Sequence, residues 1–161
     1  MATTPPSRST GVLRSIASGL RRWLTRRPAP YPGDFTGRLV PAYDPHADGR
    51  PDPGEIVWTW VPFEEDHRQG KDRPVLLVGH DGRWLLALQL TSKDHDGYPA
   101  RGGRRRWVDI GAGDWDRRRR PSEVRVDRVI RVDPKAVRRE GAVLARSRFD
   151  DVARAVSDLH R

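Results

Sequence analysis

The chain has 161 residues, a length that suits one domain with an appendage better than two domains. Its 31 basic and 22 acidic residues give a net charge of +9, which favours a polyanion such as nucleic acid as partner, although genome base composition alone can produce an Arg-rich chain. The absence of Cys excludes disulfides and thiolate metal sites. No run reaches the eighteen or so apolar residues of a membrane span, so the sequence predicts a cytoplasmic protein.

The first 53 residues predict an accessory arm rather than a domain. After a polar start, apolar residues recur at helical spacing over 10–27 and five arginines fall largely on the other face, which predicts a basic amphipathic helix. Such a helix can contact a membrane surface, nucleic acid or a protein, or have no dedicated ligand. Residues 28–53 carry seven prolines and predict an extended linker, with Tyr31, Phe35 and Tyr43 available to hold it to the domain.

The domain itself is predicted at 54–161. Short runs rich in Val, Ile, Leu and Trp at 55–63, 74–78 and 84–90 predict three strands, with a charged loop before the second and an Asp81-Gly82 hairpin turn before the third. Residues 107–110 and 124–132 predict two more strands, the last bent near Arg128. Apolar residues at helical spacing close the chain with a helix. These elements predict a mainly β fold, a small and strongly curved barrel.

The sequence motifs give little support for a metal site or a cofactor site. The runs at 64–67 and 94–96 contain carboxylates and imidazoles, but their spacing matches no established metal geometry. No phosphate-binding glycine loop, nucleophile elbow or dinucleotide fingerprint is present in the sequence. The sequence therefore predicts neither a metal nor a cofactor.

Four short motifs in a fixed order carry a resemblance. They are Gly-Glu-Ile-Val-Trp at 54–58, Arg73-Pro74 before an apolar strand, Thr91-Ser92 at a strand end, and Val-Arg-Val-Asp at 124–127. Over about residues 54–158 the chain resembles the MazF/PemK family of toxin endoribonucleases. The resemblance implies an SH3-like, PemK-type β-barrel, a metal-independent cleavage of single-stranded mRNA, a homodimer, and an antitoxin partner with which DNA can be contacted.

The resemblance also implies the site. The catalytic residues of PemK-like members correspond to His67, Arg125 and Asp127 of this chain, and those of MazF-like members correspond to Arg73 and Thr91. The loop reads Asp66-His67-Arg68-Gln69 where the family commonly reads Gly-His-Glu-Gln or Gly-x-Glu-Gln, so Arg68 replaces a Glu, and the segment 94–106 is longer than usual.

General chemistry assigns roles to these residues. Metal-free RNA cleavage needs a base, an acid and cations around the phosphate. Guanidinium groups suit the phosphate and imidazole suits proton transfer, so we expect Arg73 and Arg125 to stabilise charge and His67 and Asp127 to share the acid and base roles. Thr91 or Ser92 is expected to hydrogen-bond a phosphate oxygen. An exposed Arg125–Asp127 salt bridge without catalytic meaning is the alternative.

Further residues are candidates for holding RNA. The basic and aromatic residues of the second half can line the RNA path, with Trp115 as one stacking platform, or can be solvated hairpin loops. An alternative function is a nucleic-acid-binding regulatory module, for DNA or RNA, that keeps the fold without cleavage. The predicted substrate-binding residues are Gln69, Ser92, Arg104, Arg105, Arg106 and Trp107.

Overall fold

The computed structural model describes residues 29–94 and 106–159, so the predicted helix at 10–27 and the residues Arg104 and Arg105 lie outside the described part of the chain. The prediction of a mainly β fold with a C-terminal helix is confirmed. No helix in the described ranges is long and apolar enough to cross a membrane. The elements are β1 (Glu55–Pro62), β2 (Gly70–Asp81), β3 (Trp84–Thr91), β4 (Trp107–Gly111), β5 (Ser122–Arg125), β6 (Ile130–Val132), a 3-10 turn (Pro134–Ala136), β7 (Arg139–Val143) and α1 (Arg146–Leu159).

The strands form one antiparallel, curled sheet in the order β4-β5-β3-β2-β1-β7. One edge of β3 pairs with β2 along its length, whereas the other edge pairs first with β6, at Leu85 and Val132, and then with β5, at Leu90 and Val124. Because two strands share one edge of β3, the chain between them turns and the sheet bends around β3.

The seven described strands exceed the five predicted ones. The predicted fifth strand is two strands, β5 and β6, interrupted at Asp127 and Arg128, close to the expected bend. Strand β7 was not predicted, because it forms through backbone pairing with β1, as between Ile56 and Ala142, rather than through an apolar run. Strand β2 also begins at Gly70, inside the predicted loop, because residues such as Lys71 pair across the hairpin with Val61.

Apolar side chains alternate along the central strands, so each face of the sheet carries its own core. One cluster includes Leu76, Leu88 and Val124 and is completed by α1, whose Phe149, Val152 and Val156 are buried at helical spacing. The second cluster lies on the opposite face and consists mainly of Val57, Val61, Val75, Leu77, Leu85, Ala87, Ile130 and Val132. The second face is the one that continues into the polar site described below.

Residues 29–53 run along the sheet and contact it repeatedly. The Phe35 N–H donates to the Val129 carbonyl at 2.9 Å, and the Ala42 N–H donates to the Val78 carbonyl at 2.8 Å. Leu39 is 5% exposed within the first core cluster, and the Tyr43 hydroxyl donates to the Leu144 carbonyl at 2.8 Å. The segment is extended, and its aromatic residues lie against the rest of the fold.

Gly54 allows this segment to approach β1. Its φ of 101° lies in the left-handed region, and a Cβ there would stand 2.8 Å from the Tyr43 ring. The predicted hairpin turn is present between β2 and β3, where Gly82 adopts a φ of 59° and Asp81 pairs with Trp84.

Candidate functional site

Three of the predicted site residues lie on one face of the sheet, near the ends of neighbouring strands. Arg73 of β2 pairs with Thr59 of β1, and continuing the β2–β3 register by two residues sets Arg73 opposite Thr91. Thr91 pairs in turn with Glu123 of β5. Residues directly opposite each other project to the same face, so Arg73 and Thr91 share the face on which Arg125, two residues after Glu123, also lies.

Arg125 makes ion pairs with two carboxylates on this face. It is 20% exposed, its Nε donates to Asp127 Oδ1 at 2.6 Å, and its Nη1 lies 2.9 Å from Glu64 Oε2. Burial alone would lower the pKa of the Arg125 guanidinium, but the contacts with Asp127 and Glu64 outweigh that cost and raise its pKa above the ordinary value. Arg125 therefore carries a permanent positive charge at the site.

Asp127 is held by two guanidinium groups. Besides Arg125, the Nε of Arg106 lies 3.3 Å from Asp127 Oδ2. The Asp127 side chain is 17% exposed, whereas that of Arg106 is 48% exposed. In this arrangement the carboxylate orients Arg125, and its second oxygen faces a more exposed guanidinium.

The loop after β1 carries His67 over the segment that follows β5. Glu64 of this loop makes the ion pair with Arg125. Three residues later, His67 Nε2 lies 3.9 Å from Asp34 Oδ1, and the edge of the imidazole meets the Tyr31 ring with the centroids 5.0 Å apart. The loop thus contacts Arg125 directly through Glu64 and is linked through Asp34 to Arg128, the residue after Asp127.

Asp34 is fixed by two donors of its own. Arg128, with a side chain only 5% exposed, donates from Nε at 2.8 Å and from Nη2 at 3.1 Å, and the Tyr31 hydroxyl donates at 2.5 Å. Burial opposes ionisation of Asp34, but these hydrogen bonds prevail and lower the pKa of its carboxyl. Burial and the Asp34 carboxylate together raise the pKa of the Tyr31 phenol well above its ordinary value.

The turn around His67 is stabilised by its own residues. Asp66 accepts hydrogen bonds from the backbone and guanidinium of Arg68 at 3.0 Å and from the Gln69 side chain at 3.2 Å. These contacts lower the pKa of the half-buried Asp66, and the hydrogen bond from the Arg68 side chain is the main cause. Arg68, which departs from the family pattern, therefore closes the turn, and Gln69 is directed to Asp66.

The remaining predicted residues fall into four groups. Trp107 of β4 pairs with Arg125 across the sheet and so joins the face of Arg73 and Thr91. Ser92 is exposed beside Thr91, whose hydroxyl accepts from the Lys93 N–H at 3.2 Å. Arg104 and Arg105 lie outside the described residues. The expectation that Trp115 stacks on bases is wrong, because it is 5% exposed inside the core and donates to the Ser122 hydroxyl at 3.1 Å.

Sequence reasoning missed three residues of this region. Glu64 was counted among candidate metal ligands and not as the partner of Arg125, and Tyr31 and Asp34 were assigned to a linker. No local pattern identifies Asp34, since its partner Arg128 is 94 residues away. Among the described residues, no group of three or more His, Asp or Glu side chains is placed to hold a metal ion.

The fold and the site together define a small, mainly β protein whose curled sheet presents arginines on one polar face. The model of the PemK-like, MazF-like toxins of type II toxin–antitoxin systems matches residues 52–160, and the chain belongs to this family. The predicted family is thereby confirmed.

Comparison with solved structures gives matches at low sequence identity. The crystal structure of MazE–MazF (Form II) from Deinococcus radiodurans contains a chain that is 21% identical, with a TM-score of 0.49, covering 70% of this chain and 97% of that chain. For Form III from the same organism the identity is 20%, the TM-score 0.48, and the coverage 69% and 96%. No curated protein sequence matches significantly.

Proposed function

We propose that this chain is a metal-independent endoribonuclease that cleaves single-stranded mRNA, as the toxin of a toxin–antitoxin pair. The observation that carries the proposal is the Glu64–Arg125 ion pair at 2.9 Å, because it ties the loop that bears His67 to the segment that bears Arg125 and Asp127. Membership of the toxin family supports the same reading.

The reaction proceeds by attack of the ribose 2′-oxygen on the adjacent phosphorus. A bond forms between the 2′-oxygen and phosphorus while the bond to the 5′-oxygen breaks, and a proton leaves the 2′-hydroxyl as another reaches the 5′-oxygen. The products are a 2′,3′-cyclic phosphate and a 5′-hydroxyl. Arg73 and Arg125, which share one face of the sheet, stabilise the negative charge that accumulates on the phosphate.

His67 and Asp127 divide the proton transfers. The His67 side chain is 38% exposed and is held by a carboxylate, an arrangement that suits an imidazole which accepts and returns protons. Asp127 becomes an acceptor when Arg106 transfers from it to an RNA phosphate. Thr91 supplies a hydroxyl beside Arg73, and Ser92 follows it at the rim of the face.

RNA reaches the face over the loops that surround it. Trp107, opposite Arg125, offers a ring on which a base can stack, and Arg106 offers a phosphate contact. Arg104 and Arg105 continue this basic segment in sequence. Gln69 can hydrogen-bond to a base only after its side-chain amide gives up the hydrogen bond to Asp66.

Membership of the family of type II toxin–antitoxin toxins supports the assignment of partners. We assign to this chain an antitoxin partner, a homodimeric state, contact with DNA together with the antitoxin, and a cytoplasmic location. Light scattering on the purified protein tests the dimer, which should show twice the mass of one chain.

The proposal is tested by incubating the purified protein with unstructured and structured RNA in EDTA. The wild type should cleave the unstructured RNA, and Arg125→Ala should reduce the rate about 10²- to 10³-fold, the typical cost of removing one charge-stabilising donor. Arg146→Ala is the matched control, because the Arg146 side chain is 67% exposed and pairs with Asp150 on α1, which packs against the opposite face of the sheet.

Three outcomes would count against the proposal. They are cleavage that disappears on chelation, equal rates for Arg125→Ala and wild type, and RNA that is bound and left intact. The last would support a non-catalytic nucleic-acid-binding module.

A further inference from the structure

The His67 loop is contacted by a part of the chain that lies before the segment matched by the family model. That model begins at residue 52, whereas the contacts to His67 come from Tyr31 and Asp34. Asp34 Oδ1 lies 3.9 Å from His67 Nε2, and the Tyr31 ring stands nearly perpendicular to the imidazole at 87°. The segment with Tyr31 and Asp34 thus forms a wall beside the His67 imidazole.

This wall is anchored to β6 and to the chain just before it. Arg131 donates from Nη1 to the carbonyls of Gly33 and Asp34 at 2.9 and 3.0 Å, and its Nε donates to Asp81 at 2.7 Å. The Phe35 backbone bridges to Val129, and the Arg131 guanidinium lies over the Phe35 ring. Arg131 fixes the backbone of Asp34 and Arg128 fixes its carboxylate, so the carboxylate has a defined position beside His67.

We propose that Asp34 is a positioning residue for His67, so that the chain's own N-terminal segment supplies the carboxylate that orients the imidazole. This inference rests on the proposed function. A carboxylate fixed near one ring nitrogen restricts ring rotation and so favours one orientation of the imidazole. The groups that face His67 are Asp34 and Tyr31 from this segment and Asp66 from its own loop, while Arg128 neutralises Asp34 from the opposite side.

The first test compares Asp34→Asn with Asp150→Asn in single-turnover RNA cleavage. Asp150 is the matched control, since it also pairs with an arginine, Arg146, but lies on α1, which packs against the opposite face of the sheet. Asp34→Asn should reduce the rate of the chemical step about 10-fold with RNA affinity unchanged, as is typical when the partner that orients an imidazole is removed. Equal rates for the two variants would overturn the proposal.

Loss of Asp34 leaves Arg128 buried without its carboxylate, so Asp34→Asn can unfold the protein. The double variant Asp34→Asn/Arg128→Gln removes both charges and avoids this cost, and it should show the same slow cleavage. A second comparison separates positioning from a general structural effect. In a His67→Ala background the Asp34 substitution should cause no further loss, and an undiminished 10-fold loss there would contradict the inference.

A readout without RNA distinguishes this inference from the proposed function. In NMR spectra the His67 ring signals should shift in Asp34→Asn/Arg128→Gln and stay unchanged in Asp150→Asn. Unchanged His67 signals in the double variant would refute positioning even if the wild type cleaves RNA. A wild type that does not cleave RNA would refute the proposed function, and shifted signals would then still establish the Asp34–His67 contact.

Discussion

At the scale of single residues, Arg125 shows which groups already occupy the site proposed to bind RNA. Its guanidinium is already satisfied by carboxylates, with Asp127 at 2.6 Å and Glu64 at 2.9 Å. Asp127 is 17% exposed, whereas Glu64 is 56% exposed and sits on a loop. If RNA binds here as proposed, we expect its phosphate to displace Glu64 more easily than Asp127, because an exposed ion pair contributes only about 0 to 1 kcal/mol.

This competition gives a prediction for Glu64→Gln. The variant leaves Arg125 free to bind phosphate, so its affinity for RNA should rise about 2- to 5-fold, the equivalent of the exposed ion pair it removes. Fluorescence anisotropy with a 2′-O-methyl RNA, which blocks attack by the 2′-oxygen, measures binding alone. Glu65→Gln, at the neighbouring exposed position, is the control. Weaker binding by Glu64→Gln would show that Glu64 helps to form the phosphate site rather than competing with phosphate for Arg125.

At the scale of elements, the segment 29–53 is part of the packed fold although it has almost no regular secondary structure. Leu39 places its side chain in the core cluster shared by α1 and the sheet, whereas its neighbour Val40 is 73% exposed. These adjacent positions provide a direct comparison of buried and exposed side chains within one extended stretch.

Leu39→Ala should lower the free energy of unfolding by about 2 to 4 kcal/mol, the range for truncating a buried leucine. Val40→Ala should change it by less than about 0.5 kcal/mol, as is usual at an exposed position. Urea denaturation followed by tryptophan fluorescence measures both. Equal, small effects would mean that the segment is only loosely attached to the sheet and α1.

The Asp34–Arg128 bridge makes the anchoring of this segment depend on pH. Because the folded-state pKa of Asp34 lies below its unfolded value, the bridge contributes stability fully above the unfolded pKa of about 3.9 and loses it as pH falls through the folded pKa. The stability difference between wild type and Asp34→Asn should therefore shrink between pH 6 and about pH 3. A difference that stays constant over this interval would exclude the ionised bridge as its source.

The elements also show which features of the sequence determine its structure. Apolar runs such as that of β3, and the Asp81-Gly82 turn, act locally and could be predicted. Strand β7 could not, because its pairing with β1 joins residues far apart in sequence and leaves no apolar run of its own. The division between β5 and β6 lies at Asp127 and Arg128, where neither Gly nor Pro marks a break.

At the scale of the whole molecule, the site is assembled by strand register. The motifs around Arg73, Thr91 and Arg125 could be recognised in the sequence, and the pairing of β2, β3 and β5 places them on one face. The contact between Asp34 and His67 could not be predicted, because it depends on how the N-terminal segment packs against β6. Resemblance to a family indicates only the part of a site that relatives share.

The central claim is cleavage by the 2′-oxygen without a metal. It is tested most directly by determining the end groups of RNA fragments produced in EDTA, using mass spectrometry on a short single-stranded RNA. We predict fragments with a 2′,3′-cyclic phosphate at one end and a 5′-hydroxyl at the other, and no cleavage when the 2′-hydroxyl at the cleaved position is replaced by hydrogen. Fragments with a 5′-phosphate and a 3′-hydroxyl, or cleavage of the 2′-deoxy substrate, would contradict the mechanism.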